Sequence, residues 1–317
     1  MTLSPPVDGL RNEALRAALN AALAGQFARL DDLLSRLGRG DGPRPNLRLA
    51  AAFGAEVGAQ PPELGAQRGS IVRLLSHLGD VDAAPDQPAV FLPVAAAHGW
   101  AALLQSGREQ ERAWTALATL AADERTHVRL GALDALTAVA TRRGGREGRP
   151  GDIVVSRALG WLDLEDREVR FGAAAVVVEI FADAGTLAAL ADPEALLTYL
   201  TRAIDNIADA PRAAERSDAR RRLLMALPRT LAAVVSHLTT DEMGTTWLEA
   251  ECVRARHPDV RQALSNTLIR FASRGADPGT AVTDRLRIAL QQSAKPDRDP
   301  TRRRPGSARG KASRPVR

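Results

Sequence analysis

The stretch DERTHVRLGALDALTAVA, from Asp123 to Ala140, decides the fold because its spacing recurs along the chain. Its apolar residues keep offsets of 0, 4, 7, 8 and 11 from Val128, which is the single buried stripe of an amphipathic helix. The same offsets from Val169 and from Val260 again select almost only apolar residues, and a weaker copy starts at Ala219. Every anchor is followed by an arginine, at Arg129, Arg170, Arg220 and Arg261. The repetition predicts a chain built from one helical unit used several times.

A first helical segment precedes each copy, so the repeated unit is a pair of helices. The first segments are predicted at Glu111–Ala122, Ile153–Leu162, Pro193–Ile207 and Glu242–Arg256. The second segments, which carry the stripe, are predicted at Thr126–Arg142, Glu168–Ala182, Ser217–Leu238 and Asp259–Arg274. We expect Pro228 to kink or split the third of these, because a proline inside a helix removes one backbone hydrogen bond. The anchors lie 41, 50 and 41 residues apart, and periods of about 40–47 residues with two helices are typical of HEAT and armadillo repeats.

Two of the second segments open with an acidic residue, a valine and an arginine, Glu168-Val169-Arg170 and Asp259-Val260-Arg261, and this pattern resembles the second helix of HEAT repeats. The resemblance is good over residues 110–275 and weaker over 8–106, where only the pairing of helices carries it. Two other stretches resemble a group of uncharacterised bacterial HEAT-repeat proteins, GPRPNLRLAAAFGAEV from Gly42 to Val57 and FLPVAAAHGWAALL from Phe91 to Leu104. This second resemblance supports the fold and implies no known activity.

These observations predict an all-α fold, a right-handed α-solenoid of six or seven HEAT-like helix pairs. The solenoid would occupy residues 1–292, with divergent repeats over 8–106 and clearer repeats over 107–292, and a disordered basic tail would occupy 293–317. Neighbouring pairs must stack, because one pair of this size cannot bury its stripe alone. The resemblance to HEAT repeats further implies that the repeated arginines form a polar ladder between units, which is a structural role for Arg129, Arg170, Arg220 and Arg261.

The composition favours a helical protein of the cytoplasm. Aromatic residues make up 3% of the chain, and β-branched residues never gather into the alternating runs of strands. The single cysteine, Cys252, cannot close an intrachain disulfide, and the opening MTLSPPVDGL lacks the basic and apolar parts of a signal peptide. The most apolar run, Ala173–Val178, is far shorter than the roughly 20 residues of a membrane span. We therefore expect no membrane association.

Basic charge is concentrated in the C-terminal tail. Residues 295–317 contain nine Lys or Arg and two Asp, a net charge of +7, whereas the remaining chain has 34 basic and 36 acidic residues, a net charge of −2. A tail of this kind is predicted to be disordered and can neutralise phosphates without reading a base sequence. The candidate nucleic-acid contacts are Arg302, Arg303, Arg304, Arg309, Lys311, Arg314 and Arg317. The composition fits a solvated extension with no binding role equally well.

No pattern in the sequence indicates a catalytic centre, a cofactor or a metal. The five histidines are far apart without metal-ligand spacing, and no Walker loop, nucleophile elbow or dinucleotide fingerprint is present. Four tryptophans invite comparison with HEAT-like DNA glycosylases, which line a DNA-binding surface with aromatic residues: Trp100, Trp114, Trp161 and Trp247. The near-neutral body and the shortage of aromatics argue against such an activity, and Trp114 and Trp161 are expected to fill gaps between repeats.

The sequence thus favours a non-enzymatic scaffold that binds a protein or peptide partner on the concave face formed by second helices. Exposed second-helix positions are the candidate contacts, namely Asp134, Thr137, Glu179 and Asn266. One alternative is nucleic-acid binding through the tail, with or without a glycosylase-like activity. Another is an accessory factor for an enzyme that modifies proteins, which would use the same surface.

Overall fold

The computed structural model describes residues 7–38, 44–61, 69–142, 149–238, 242–274 and 279–293. Over these residues the chain forms fifteen α-helices and no β-strand, which confirms the predicted all-α class. The helices are α1 (Val7–Leu23), α2 (Ala28–Leu37), α3 (Leu47–Gly58), α4 (Ser70–Gly79), α5 (Phe91–Gln105), α6 (Gln110–Ala122), α7 (Thr126–Ala140), α8 (Pro150–Trp161), α9 (Arg167–Ile180), α10 (Ala184–Ala188), α11 (Pro193–Ala208), α12 (Asp218–His237), α13 (Met243–Arg254), α14 (Pro258–Arg274) and α15 (Thr280–Gln292). Short 3₁₀ turns occupy Pro88–Val90 and Arg212–Arg216.

Short polar side chains define where several helices begin. The Asn46 side chain accepts a hydrogen bond from the backbone N–H of Leu49 at 3.1 Å at the start of α3. Asp166 caps α9 and Ser217 caps α12 in the same way. Each cap satisfies a backbone donor that has no partner inside the helix, so the turn residues of the sequence fix the helix starts.

The repeated stripe is the buried face of the second helices. The five stripe residues of α7 are buried, as are those of α14, while Val169 on α9 and Ala226 on α12 are half-buried. The helix α9 is buried on more than its stripe, since every residue from 171 to 178 is buried, including those outside the stripe. This follows from its neighbours, since α6, α7, α8 and α12 all contact it.

The helices contact one another in a regular order. Each helix contacts the next one in the series α3, α5, α7, α9, α12 and α14. A second series lies beside the first, and each of its helices also contacts the next, namely α8, α11, α13 and α15. Glycines permit a close approach at two of these contacts and at the contact of α9 with α6. A Cβ atom on Gly54 would lie 2.7 Å from the carbonyl oxygen of His98, and one on Gly131 would lie 2.8 Å from Cγ1 of Val94. One on Gly172 would lie 2.6 Å from Cα of Ala122 at the end of α6.

Polar contacts between distant residues span about one repeat. The ion pair of Arg202 with Asp163 joins residues 39 positions apart, and the hydrogen bond from Thr230 to the Val178 carbonyl joins residues 52 apart. Other contacts of this kind join Arg16 to Glu56, His77 to Asp31, Arg157 to Glu111, Ser217 to Glu168 and Thr201 to Glu251. Each unit is therefore bonded mainly to the adjacent unit.

The structure departs from the predicted elements at two places. The proline Pro228 does not split its helix, because α12 continues through it from Asp218 to His237. Among the described residues, one segment that the sequence analysis did not single out as a candidate span is long and apolar enough by composition to cross a membrane, Pro88–Gln105, with a mean hydropathy of 1.2. Its residues are 78% buried inside the protein. It packs against α3, α4 and α7, as the core helix of a folded domain does.

Candidate partner-binding surface

An open groove lies between α12 and α14. Its volume is about 640 Å³. Its lining combines aliphatic, amide and charged side chains, namely Leu224, Met225, Pro228, Asp259, Gln262, Ala263, Asn266, Ile269 and Arg270. A second hollow of about 440 Å³ lies between α14 and α15 and shares Gln262 and Ile269 with the first. Because the two hollows meet at these residues, we treat them as one feature, the C-terminal groove.

Large apolar side chains are exposed along this groove. Met225 on α12 is 77% exposed and Ile269 on α14 is 62% exposed. Ile288, on the neighbouring α15, is 53% exposed. Among the described residues only one other large apolar side chain is this open, Val253 on α13 at 58%, whereas Ile153 on α8 is 39% exposed. A cluster of exposed apolar residues beside a groove is typical of an interaction site, whereas single exposed residues are ordinary.

The sequence reasoning missed Met225 and Ile269, although a signal for them was present. Met225 lies six positions after Ala219 and Ile269 lies nine positions after Val260. Neither offset belongs to the buried stripe. A large apolar residue outside the stripe is not needed for the core, and two of them on neighbouring second helices therefore indicate a binding surface.

Polar groups at the edges of the groove are largely engaged with one another. Oδ2 of Asp259 accepts from Nη1 of Arg220 at 2.7 Å, and Nε2 of Gln262 donates to Oδ1 of Asn266 at 3.0 Å. In the second hollow, Nη1 of Arg261 donates to Oγ of Ser293 at 2.5 Å. These bonds hold the rim side chains in defined positions around the apolar centre.

Pro228 changes the backbone chemistry of the groove. It has no N–H, so the carbonyl group of Leu224, four residues earlier in α12, cannot receive its usual helical hydrogen bond. Both residues line the groove.

The four predicted partner contacts do not form one cluster. Asn266 lies in the C-terminal groove. Asp134 and Thr137 are half-buried on α7, where Oγ1 of Thr137 donates to the Leu133 carbonyl at 2.8 Å in its own helix. Glu179 is exposed near the end of α9. Of the four predicted contacts, only Asn266 therefore lines a groove together with exposed apolar side chains.

Asp134 lies beside a buried histidine of α5. Nε2 of His98 is 3.5 Å from Oδ2 of Asp134, and His98 is only 5% exposed. Burial lowers the pKa of His98 to about 4 and raises the pKa of the Asp134 carboxyl. Each shift has the same cause, since removal from water disfavours the charged form. At neutral pH the histidine is therefore uncharged.

The repeated arginines bind backbone or side-chain oxygens at the starts of the second helices. Nη1 of Arg129 donates to the Asp123 and Glu124 carbonyls, at 2.8 and 2.5 Å, and Nη1 of Arg170 donates to the Leu164 carbonyl at 3.1 Å. These two arginines bind the turn that precedes their own helix.

Arg220 and Arg261 instead reach the next unit, at Asp259 and Ser293 respectively. Of the four arginines, only Arg220 pairs with an acidic residue at the start of the next second helix, as the predicted ladder requires, because the partner of Arg261 is a serine at the end of α15.

Cys252 and the tryptophans are packed among helices. Burial raises the pKa of the Cys252 thiol to about 12, so that it stays protonated and poorly nucleophilic. The rings of Trp114 and Trp161 meet edge to face with centroids 5.9 Å apart. Trp100 is buried, and Nε1 of Trp247 donates to Oγ1 of Thr201 at 2.9 Å. These side chains have structural contacts within the protein, and the four tryptophans do not form a row of exposed rings.

No group of three or more possible metal ligands occurs within the part of the chain that the structure describes. The candidate nucleic-acid contacts in the tail lie outside the described residues, namely Arg302, Arg303, Arg304, Arg309, Lys311, Arg314 and Arg317.

A comparison with models of protein families finds no match, and a comparison with curated proteins finds no similar sequence.

Proposed function

We propose that this protein is a HEAT-like right-handed α-solenoid that acts as a non-enzymatic scaffold in the cytoplasm and binds a protein or peptide partner on its second helices. The observation that carries the proposal is the exposure of Met225 and Ile269 on either side of an open groove. Burial of such side chains against a partner would remove apolar surface from water, which is the main driving force of association.

The ordered helix contacts support the solenoid arrangement. In a solenoid each repeat contacts only its neighbours, and the second helices contact each other in sequence order. Polar contacts over 39 to 52 residues agree with a repeat near this length. The resemblance of Glu168-Val169-Arg170 and its counterpart in α14 to HEAT repeats points to the same arrangement.

Site-specific crosslinking tests the proposal directly. A photoreactive residue is placed at Asn266 in the groove and, as a matched control, at exposed Thr246 on α13. After illumination in an extract of the source cell, we expect a protein adduct from position 266 and none from position 246. Absence of any adduct from position 266, or the same adducts from both positions, would argue against a partner-binding surface here. An adduct with a protein-modifying enzyme or its substrate would identify the scaffold as an accessory factor.

Nucleic-acid binding through the tail is the second candidate, supported by the net charge of +7 over residues 295–317. Neutralisation of phosphates by this tail would give an affinity that falls steeply with salt. The test compares electrophoretic binding of DNA by the full chain and by a version that ends at Gln292. Loss of binding in the shorter version supports the tail. Equal binding excludes it, and no binding by the full chain at low salt excludes this function.

A further inference from the structure

We propose that Met225 is an oxidant-sensitive site, at which a peroxide converts the thioether to a sulfoxide and thereby releases an apolar partner from the C-terminal groove. The oxidation itself needs no partner, whereas the release rests on the proposed function.

Met225 is the more accessible of the two methionines that the structure describes. It is 77% exposed on α12, so a peroxide in solution reaches it without any movement of the helix. The other, Met243 at the start of α13, is half-buried and packs against the core. We therefore expect Met225 to be oxidised first.

The one thiol of the chain does not compete for the oxidant. Cys252 is 0% exposed on α13. Burial raises the pKa of its thiol to about 12, so that the thiolate, which is the form that reacts with peroxides, is scarce at neutral pH. Oxidation of the described residues by a peroxide should therefore begin at a methionine.

The reaction needs a peroxide, either hydrogen peroxide or an alkyl hydroperoxide, as its only co-reactant. A lone pair of the Met225 sulfur attacks the terminal peroxide oxygen, the O–O bond breaks and an S–O bond forms. The proton of the attacked hydroxyl ends on the leaving oxygen, which departs as water or an alcohol. The sulfur loses two electrons and the peroxide gains them. Methionine sulfoxide reductases reverse the change with two thiols, which become a disulfide.

The added oxygen would lie among the apolar side chains of the groove. Met225 and Ile269 are exposed along it, and Pro228 and Ala263 also line it. A sulfoxide is polar, and its burial against an apolar partner without a hydrogen bond is unfavourable. Oxidation therefore weakens a contact that depends on the removal of Met225 from water.

Met225 occupies the same place in its unit as Asn266 does in the next. Each lies six positions after the anchor of its second helix, and both line the C-terminal groove. The corresponding residues of α7 and α9 are Asp134 and Ala175. Only α12 therefore places a large apolar side chain at this position, and that side chain is the oxidisable one.

Peptide mass spectrometry of the full chain, treated with hydrogen peroxide for increasing times, tests the site. We expect sulfoxide to form at Met225 at least about fivefold faster than at Met243, because the two differ in access to solvent. Equal rates, or faster oxidation of Met243, would overturn the assignment. This measurement needs no partner.

Photocrosslinking from position 266 tests the release. The photoreactive protein is oxidised, freed of peroxide and illuminated in a desalted extract, which lacks the thiols that the reductases need. We expect the adduct yield to fall at least about fivefold on oxidation and to return after treatment with reductases for both sulfoxide epimers. In M225L, whose side chain cannot form a sulfoxide, oxidation should leave the yield at its own starting value. The control M243L should respond to oxidation as the wild type does.

The outcomes separate this inference from the proposed function. An equal fall in M225L and in the wild type would show that another group is oxidised, and would overturn the inference while the scaffold stands. Absence of an adduct from untreated protein would overturn the proposed function and the release together. Circular dichroism before and after oxidation verifies that the helices remain folded. Loss of helix on oxidation would also contradict the inference, because release would then follow unfolding.

Discussion

Arg220 donates from Nη1 to Oδ2 of Asp259 at 2.7 Å, although the two residues lie 39 positions apart on α12 and α14. Arg220 is only 2% exposed, and its Nη2 donates to the Ile207 carbonyl at 3.3 Å at the end of α11. One guanidinium thus joins three helices of two adjacent units. A buried cation in this position must keep its partners, because an unpaired buried charge is strongly unfavourable.

Replacement of Arg220 by alanine is expected to lower the free energy of unfolding by about 3 kcal/mol. The loss has two sources, the Asp259 ion pair and the donor to the Ile207 carbonyl. The control Arg221→Ala removes an exposed pair with Asp218 and should cost about 0–1 kcal/mol. Urea unfolding of both variants measures the difference, and equal midpoints for the two would contradict the bridging role of Arg220.

Arg129→Ala is expected to lower stability while leaving partner binding unchanged. The variant removes donors to the Asp123 and Glu124 carbonyls, at a cost of about 1 kcal/mol. Burial, and after it the charge of Arg222, lowers the pKa of Arg129, so this side chain is already partly removed from water. Thermal melts and photocrosslinking at position 266 provide the two readouts. An unchanged melt together with loss of the crosslinked adduct would show that Arg129 contacts the partner instead.

Gly172→Ala is expected to destabilise the protein by about 1–3 kcal/mol, because the added methyl group overpacks a helix contact. Its carbon would lie 2.6 Å from Cα of Ala122, so the α6 and α9 backbones would have to separate. The matched control is Gly160→Ala on α8, where no atom lies within 4 Å of the added carbon. There alanine should be neutral or stabilising by up to about 1 kcal/mol. Chemical unfolding that ranks the two variants in the opposite order would contradict the close approach.

Stability is expected to fall as the pH falls from 7 to 5, because of His98. Burial lowers its pKa in the folded protein from 6.5 to about 4, so between these values the unfolded chain binds a proton that the folded chain does not. The resulting loss is about 2 kcal/mol at pH 5. The raised pKa of Asp134 acts in the opposite direction when the pH falls further.

His98→Gln should remove most of this pH dependence. The control His237→Gln changes an exposed histidine at the end of α12 and leaves the buried ring in place. Unfolding free energies at pH 7 and pH 5 provide the comparison. An equal pH slope in wild type and His98→Gln would show that another group is responsible.

Local patterns predicted most of the helices and much of the core. The stripe from Val128 identified the buried face of α7, and its copies identified those of α9, α12 and α14. Pro228 was expected to kink or split its helix, and of these two outcomes the split does not occur, because α12 is continuous from Asp218 to His237. The residues around the proline, Leu227, Thr230 and Leu231, are buried in the core. The free energy lost with one interrupted hydrogen bond is small compared with the stabilisation from the apolar area that this helix buries.

The C-terminal groove was less predictable than the core. Asn266 was anticipated as a contact and lies in the groove, whereas Met225 and Ile269 were missed. The repeated glycines three residues after the anchors, Gly131 and Gly172, were also missed, although they mark the close approaches of α7 to α5 and of α9 to α6. Their spacing was visible in the sequence, but the atoms they approach belong to other helices.

The sequence alone determined which residues form helices and which face of each helix is buried, because both depend on a period of 3.6 residues along one chain. Only the tertiary structure decided that Arg220 reaches Asp259 and that Met225 and Ile269 flank one groove. These relationships join residues about 40 positions apart and depend on the distance and crossing of packed helices. The sequence period does not specify that distance and crossing angle. Both are set by how the side chains of neighbouring helices interdigitate.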